Sequence, residues 1–128
     1  MKLLLDTHAL LWWSEGNRRL AARARAAIED ENNDVFVSAV SAMEIATKHR
    51  LGKLEGAARW AEGFEAELAA EGFEPLAVDV RHGRLAGAML IAHKDPFDRL
   101  LIAQAMLEGM GLVSNESLFD AYGVPRIW

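Results

Sequence analysis

Four acids stand where a fold could bring carboxylates together: Asp6, Glu44, Asp98 and Glu116. Asp6 ends the apolar run Leu3-Leu4-Leu5, and Glu116 follows Leu112-Val113. Glu44 lies in a helical segment after Val35-Phe36-Val37, and Asp98 lies just inside a helix opened by Asp95-Pro96. Carboxylates gathered at one place raise each other's pKa unless a cation neutralises them. An all-oxygen ligand set suits Mg²⁺ or Mn²⁺. Such a site activates a water and stabilises a leaving oxygen in phosphodiester hydrolysis. Thr7 and Ser114 are placed to orient the carboxylates by hydrogen bonds.

Each acid also has a purely structural role open to it. Asp98 near a helix start complements the helix dipole, and Asp95 is a natural N-cap. Glu44 could close a capping box with Ser41 or pair with Lys48 at i+4. Glu116 could cap the Ser117–Tyr122 segment. Asp6 has the fewest such outlets, because a buried strand leads directly into it.

The acids need elements to position them. The leucine run reads as a strand with both faces apolar, as in a parallel sheet covered by helices. Helices are expected over 8–13, 18–28, 40–50, 57–71, 80–91 and 97–110, with helical turns over 117–122. Strands are expected at 35–37, 76–78 and 112–113, and 124–128 reads as a fifth strand or an extended tail. Stops are assigned to Gly52, Gly72 and Gly111. Strands alternating with helices argue for an α/β fold with right-handed crossovers. The carboxyl ends of parallel strands share one edge, where open α/β sheets bind ligands. Asp6, Glu44 and Glu116 can converge there, and Asp98 joins them if its helix start faces the same edge.

Composition narrows the classes. The chain has 128 residues, is 52% hydrophobic and 26% charged, and reads as one globular domain over 1–128. It has no cysteine, which excludes thiolate metal sites and disulfides and fits a reducing cytoplasm. No membrane-length apolar run and no leader pattern is present. The formal net charge of −5 rules out bulk electrostatic binding of nucleic acid, so any such role rests on local basic groups and bound cations. Those groups are Arg18, Arg19, Arg23 and Arg25 in one segment, and Lys48, Arg50 and Lys53 in another. Lys48 and Arg50 are candidate phosphate contacts, and His8 and His93 candidate substrate contacts beside the acidic edge. None of the four histidines pairs at i, i+4, so a zinc site of the H-E-x-x-H kind is absent. Trp12 and Trp13 are adjacent, so one is assigned to the core and the other to a partner surface. No phosphate-cradling glycine motif and no G-x-S-x-G is present.

Taken together, LLLDTHALLWW, SAVSAMEIATKHRLGKL, HKDPFDRLLIAQA and LVSNESLFDAYGVPRIW resemble a PIN domain, and within it the VapC-type toxins of toxin–antitoxin pairs. The resemblance covers essentially the whole chain. It implies a three-layer sandwich with a central parallel sheet of about five strands and helices on both faces. It implies a Mg²⁺- or Mn²⁺-dependent endoribonuclease with Asp6, Glu44, Asp98 and Glu116 as catalytic metal ligands, Ser114 beside the last of them. Glu116 departs from the family's commoner Asp and is one methylene longer. The resemblance also implies a homodimer, an RNA substrate and a cognate antitoxin that plugs the acidic pocket with a basic side chain. Two other readings compete: a PIN-like binding module without chemistry, and a phosphoacceptor domain of the receiver type. The latter usually has a pair of acids near its first strand, and the segment before Asp6 has none.

Overall fold

The computed structural model describes residues 1–54, 56–91 and 95–128. Five strands form one all-parallel sheet: β1 (Lys2–Leu5), β2 (Asp34–Ser38), β3 (Glu74–Leu76), β4 (Gly111–Val113) and β5 (Arg126–Ile127). Their order in the sheet is β3-β2-β1-β4-β5, so β1 is central. Among the described residues the helices are α1 (Thr7–Glu15), α2 (Ala22–Glu29), α3 (Ala39–Arg50), α4 (Ala58–Glu71), α5 (Val80–Ala88) and α6 (Pro96–Glu108), with a 3₁₀ helix at Ser117–Tyr122. None of these helices is long and apolar enough to cross a membrane.

The leucine run works as a two-faced strand. Leu3 and Leu5 join a cluster with Leu10 of α1, Ala24 of α2 and Trp60 of α4. Leu4 points the other way, into a cluster with Val40 of α3, Leu101 and Ile102 of α6, and Phe119. All three leucines are fully buried, and each contributes about 1.5–3 kcal/mol of transfer free energy. This burial on both faces fixes β1 and thereby the place where Asp6 emerges.

Several boundaries differ from the sequence expectation, each for a local reason. The third strand is Glu74–Leu76 rather than 76–78. It is an edge strand, where the charge of Glu74 and the missing N–H of Pro75 are tolerated. Asp79 then caps α5, its carboxylate accepting from the amides of Arg81 and His82, which draws the following residues out of the sheet. The second helix begins at Ala22 rather than residue 18. Asn17 holds the preceding turn: its side-chain oxygen accepts from Arg19 N at 2.9 Å and its carbonyl from Leu20 N at 3.1 Å. The fifth helix ends at Ala88 rather than residue 91. The Arg99 guanidinium takes up the carbonyls of Ala86 and Met89, both at 2.8 Å, and so satisfies the end of that helix. The sixth helix stops at Gly109, which has φ 65°, and not at Gly111. Gly111 instead pairs with Leu3 inside the sheet. A Cβ there would lie 2.9 Å from Met1 Cε and 3.0 Å from Ile127 Cδ1.

Candidate functional site

The carboxyl edge of the sheet opens into a cavity of about 200 Å³. Asp6, Glu44, Asp98 and Glu116 all line it, with Thr7, His8, Lys48, Asp95 and Asn115. Leu101 and Phe119 form its apolar wall.

Asp6 is the deepest acid. Its backbone continues the sheet by donating to Val113 O at 3.1 Å. Its side chain caps α1, Oδ1 accepting from Ala9 N at 2.8 Å. Burial pushes its carboxyl up to about 6, and the Asp98 charge adds to that. The Ser114 hydroxyl, the Ala9 amide and the His8 charge pull it partly back down. A carboxyl in this condition is a strong candidate for cation binding, because a cation offsets the cost of its desolvated charge.

Glu44 projects from α3, whose N-cap is Ser38, accepting from Val40 N at 3.0 Å. Glu44 is therefore in mid-helix, and the capping box with Ser41 does not form. Both its oxygens are engaged. Thr7 Oγ1 donates to Oε1 at 2.6 Å, and Lys48 Nζ donates to Oε2 at 2.6 Å. Ser41 lies 3.2 Å from the Thr7 hydroxyl and is fully buried.

Asp98 enters from the other side of the pocket on the first turn of α6. Asp95 caps that helix, accepting from Phe97 N at 2.9 Å, and Pro96 follows at the first helical position. Glu116 leaves β4 and caps the 3₁₀ helix, Oε1 accepting from Leu118 N at 3.0 Å. Ser114 links the two sides: its oxygen accepts from Glu116 N at 3.0 Å while its hydroxyl bonds Asp6. Arg126 braces this turn, donating to Ser114 O at 3.1 Å and bidentately to Asp120 at 2.7 and 3.1 Å.

The remaining sequence candidates are placed as follows. His8 is exposed at the mouth of the pocket, and Lys48 is in its wall. Arg50 is exposed at the end of α3 and does not line the pocket. His93 lies outside the described residues. Trp13 packs on Phe73 and donates to Glu71 at 3.0 Å, whereas Trp12 faces a neighbouring groove. Sequence reading missed Asn115 and Arg126, and offered Ser41 only as a capping partner of Glu44. Only Asn115 carried a usable signal, lying between two residues already singled out at a strand exit.

The four acids offer the pocket only carboxylate oxygens, with the His8 imidazole exposed at its mouth, and the buried carboxyl among them is destabilised by its own charge. Both features fit a hard divalent cation. Asp6, the most deeply buried of the four acids, is the first candidate for direct ligation, and the Asp98 charge already acts on it across the pocket. A second group of ligand-type atoms occurs elsewhere: Asp79, His82 and Glu108 come within 4.8 Å of one another. That group is already satisfied. His82 Nδ1 accepts from Asp79 N at 3.0 Å, and Nε2 lies 2.9 Å from Glu108 Oε1. Arg81 bridges both carboxylates at 2.8 Å. The Arg81 hydrogen bond holds Asp79 below the usual carboxylate range, and the His82 hydrogen bond does the same for Glu108. The group ties α5 to α6 and has its cation in place.

Comparison with known proteins gives the same outline. The PIN domain family model matches residues 3–125. Ribonuclease VapC22 of Mycobacterium tuberculosis is 28% identical over 130 residues, covering 97% of this chain and 94% of its own length. Among solved structures, VapBC2 from Rickettsia felis bound to a promoter DNA fragment superposes with a TM-score of 0.69 at 15% identity, covering 98% of this chain and 97% of the other. A toxin–antitoxin complex from Klebsiella pneumoniae gives 0.65 at 21% identity, covering 96% and 92%. FitAcB from Neisseria gonorrhoeae gives 0.65 at 18% identity, covering 97% and 95%. At these identities the structures speak to the fold.

Proposed function

Since the chain belongs to the PIN domain family, we propose that it is a divalent-metal-dependent endoribonuclease, the toxin of a toxin–antitoxin pair. One observation carries the reading: acids from four separate elements line one pocket, with the buried Asp6 carboxyl pushed up to about 6 at its floor. The relative from Mycobacterium tuberculosis, named as a ribonuclease, supports the activity. The toxin–antitoxin complexes among the structural neighbours support the setting.

In this reading Asp6, Glu44 and Asp98 hold Mg²⁺ or Mn²⁺, with Glu116 in support. When bound, the cation supplies a water of lowered pKa and neutralises charge on the phosphate. The chain's own residues do the positioning. Ser114 and the Ala9 amide fix the Asp6 carboxylate, leaving it turned to the pocket. Thr7 and Lys48 clamp Glu44 from opposite sides. Lys48 brings a positive charge to the wall where a phosphodiester would enter. Leu101 and Phe119 exclude water from one side. The partners of this reading are single-stranded RNA, a second copy of the chain, and an antitoxin offering a basic side chain to the acids.

A PIN-like module that binds without cutting is the second reading. It is favoured by the engagement of both Glu44 oxygens and by the capping role of Glu116. Incubation of the purified protein with single-stranded RNA separates the two. Cleavage is expected with Mg²⁺ or Mn²⁺ and is expected to stop on chelation with EDTA. Cleavage that persists unchanged in EDTA would sink the metal-dependent reading, and RNA binding without cleavage under every metal condition would favour the module.

A further inference from the structure

Beside the acidic pocket lies a second cavity, of about 490 Å³, that the chemistry above does not use. It is lined by Leu11, Trp12, Glu15, Asn17, Arg19 and Leu54, and it shares His8 with the acidic pocket. The two cavities are therefore neighbours, separated by one imidazole.

The groove carries a particular set of groups. Trp12 is half-buried, braced from within by Trp128 at 5.8 Å between ring centroids. The His8 ring lies 5.4 Å from it, tilted by 41°. The Arg19 guanidinium sits 6.0 Å from the Trp12 ring, at the outer limit of a cation–π contact. Among the described residues Arg19 makes no ion pair, and its backbone is pinned by Asn17. Arg18 and Arg23 are exposed on the same segment. These three arginines outnumber Glu15, whose carboxylate accepts from Asn17 Nδ2 at 3.3 Å, and they give this segment a local positive charge on a chain with formal charge −5.

Aromatic faces beside unpaired guanidinium groups are what single-stranded nucleic acid uses: bases stack and phosphates pair. A strand with one phosphate among the acids must place its next nucleotide somewhere along the pocket mouth, and this groove lies next to that mouth on the far side of His8. We propose that the groove is a single-stranded RNA subsite, in which a base next to the scissile phosphate stacks on Trp12 and the adjoining phosphate pairs with Arg19. The inference rests on the ribonuclease reading and adds to it the path of the strand.

The test is fluorescence anisotropy with the Asp6→Asn protein, which is expected to hold RNA without cutting it. Trp12→Leu, Trp12→Phe and Arg19→Gln are each added to that background. The probes are short random-sequence RNA oligonucleotides and a sugar–phosphate strand of equal length without bases. Trp12→Leu is expected to weaken the base-bearing strand about 10-fold and leave the abasic strand unchanged, with Trp12→Phe in between. Arg19→Gln, an exposed change that keeps the fold, is expected to lower the slope of log K against log salt by about 0.7 for both probes. Equal RNA binding by the parent, Trp12→Leu and Arg19→Gln would overturn the subsite while leaving the ribonuclease reading intact. The groove would then be a surface for a protein partner. A parent protein that binds no RNA, together with a wild type that cleaves none, would overturn both.

Discussion

Asp6→Asn is expected to lower metal-dependent RNA cleavage about 1,000-fold or more, while making the metal-free protein more stable at neutral pH. The first effect follows from the metal's share of the transition-state stabilisation, several kcal/mol. The second follows from burial. The Asp6 carboxyl sits at about 6 in the fold against 3.8 for the free side chain. Its ionised form is thus disfavoured by folding, by about 3 kcal/mol at most. Asparagine removes that charge and still caps α1. Single-turnover cleavage and a urea melt at pH 7.5, run on the same preparations, check both halves. Loss of activity with a large loss of stability would mean that Asp6 is mainly a structural cap.

Metal affinity is expected to fall about tenfold per pH unit below about pH 6, because a proton and the cation compete for Asp6. Between pH 7 and pH 4 that amounts to roughly 100-fold. Stability of the metal-free protein moves the opposite way. A carboxyl raised in the fold contributes stability that is fully present below 3.8 and is lost as pH rises through about 6. Asp79, Glu108 and Asp120 are lowered instead and oppose this trend. The Asp6 contribution is therefore read as the difference between wild type and Asp6→Asn. Calorimetric titration of Mn²⁺ at several pH values, with melts alongside, measures both curves. A wild-type metal affinity that is flat between pH 5 and pH 7 would remove Asp6 from the ligand set.

The layout of the sheet was legible because the Leu3-Leu4-Leu5 run has no polar face, which only a central two-sided strand satisfies. The positions of Asp6 and Glu116 follow from it, since both leave strand ends at the same edge. The helix carrying Asp98 was legible from Asp95-Pro96. What escaped were partnerships between distant segments. Thr7 was expected to orient a carboxylate, but that its partner is Glu44, and that Arg99 holds the end of α5, depends on packing that no local spacing encodes. The Asp79–His82 capping box was local but was missed, because His in place of the usual Glu or Gln at its fourth position hides the pattern. Edge strand β3 was shifted because Leu76-Ala77-Val78 looks more strand-like than Glu74-Pro75-Leu76. Position in the sheet, rather than propensity, decided it.

The central claim is that the pocket acids, and not the Asp79–His82–Glu108 group, hold the catalytic cation. Anomalous diffraction from a crystal soaked in Mn²⁺ tests it most directly. The account predicts a peak in the pocket, within coordination distance of the Asp6 and Asp98 carboxylates. A peak at Asp79–His82–Glu108 with none in the pocket would contradict it.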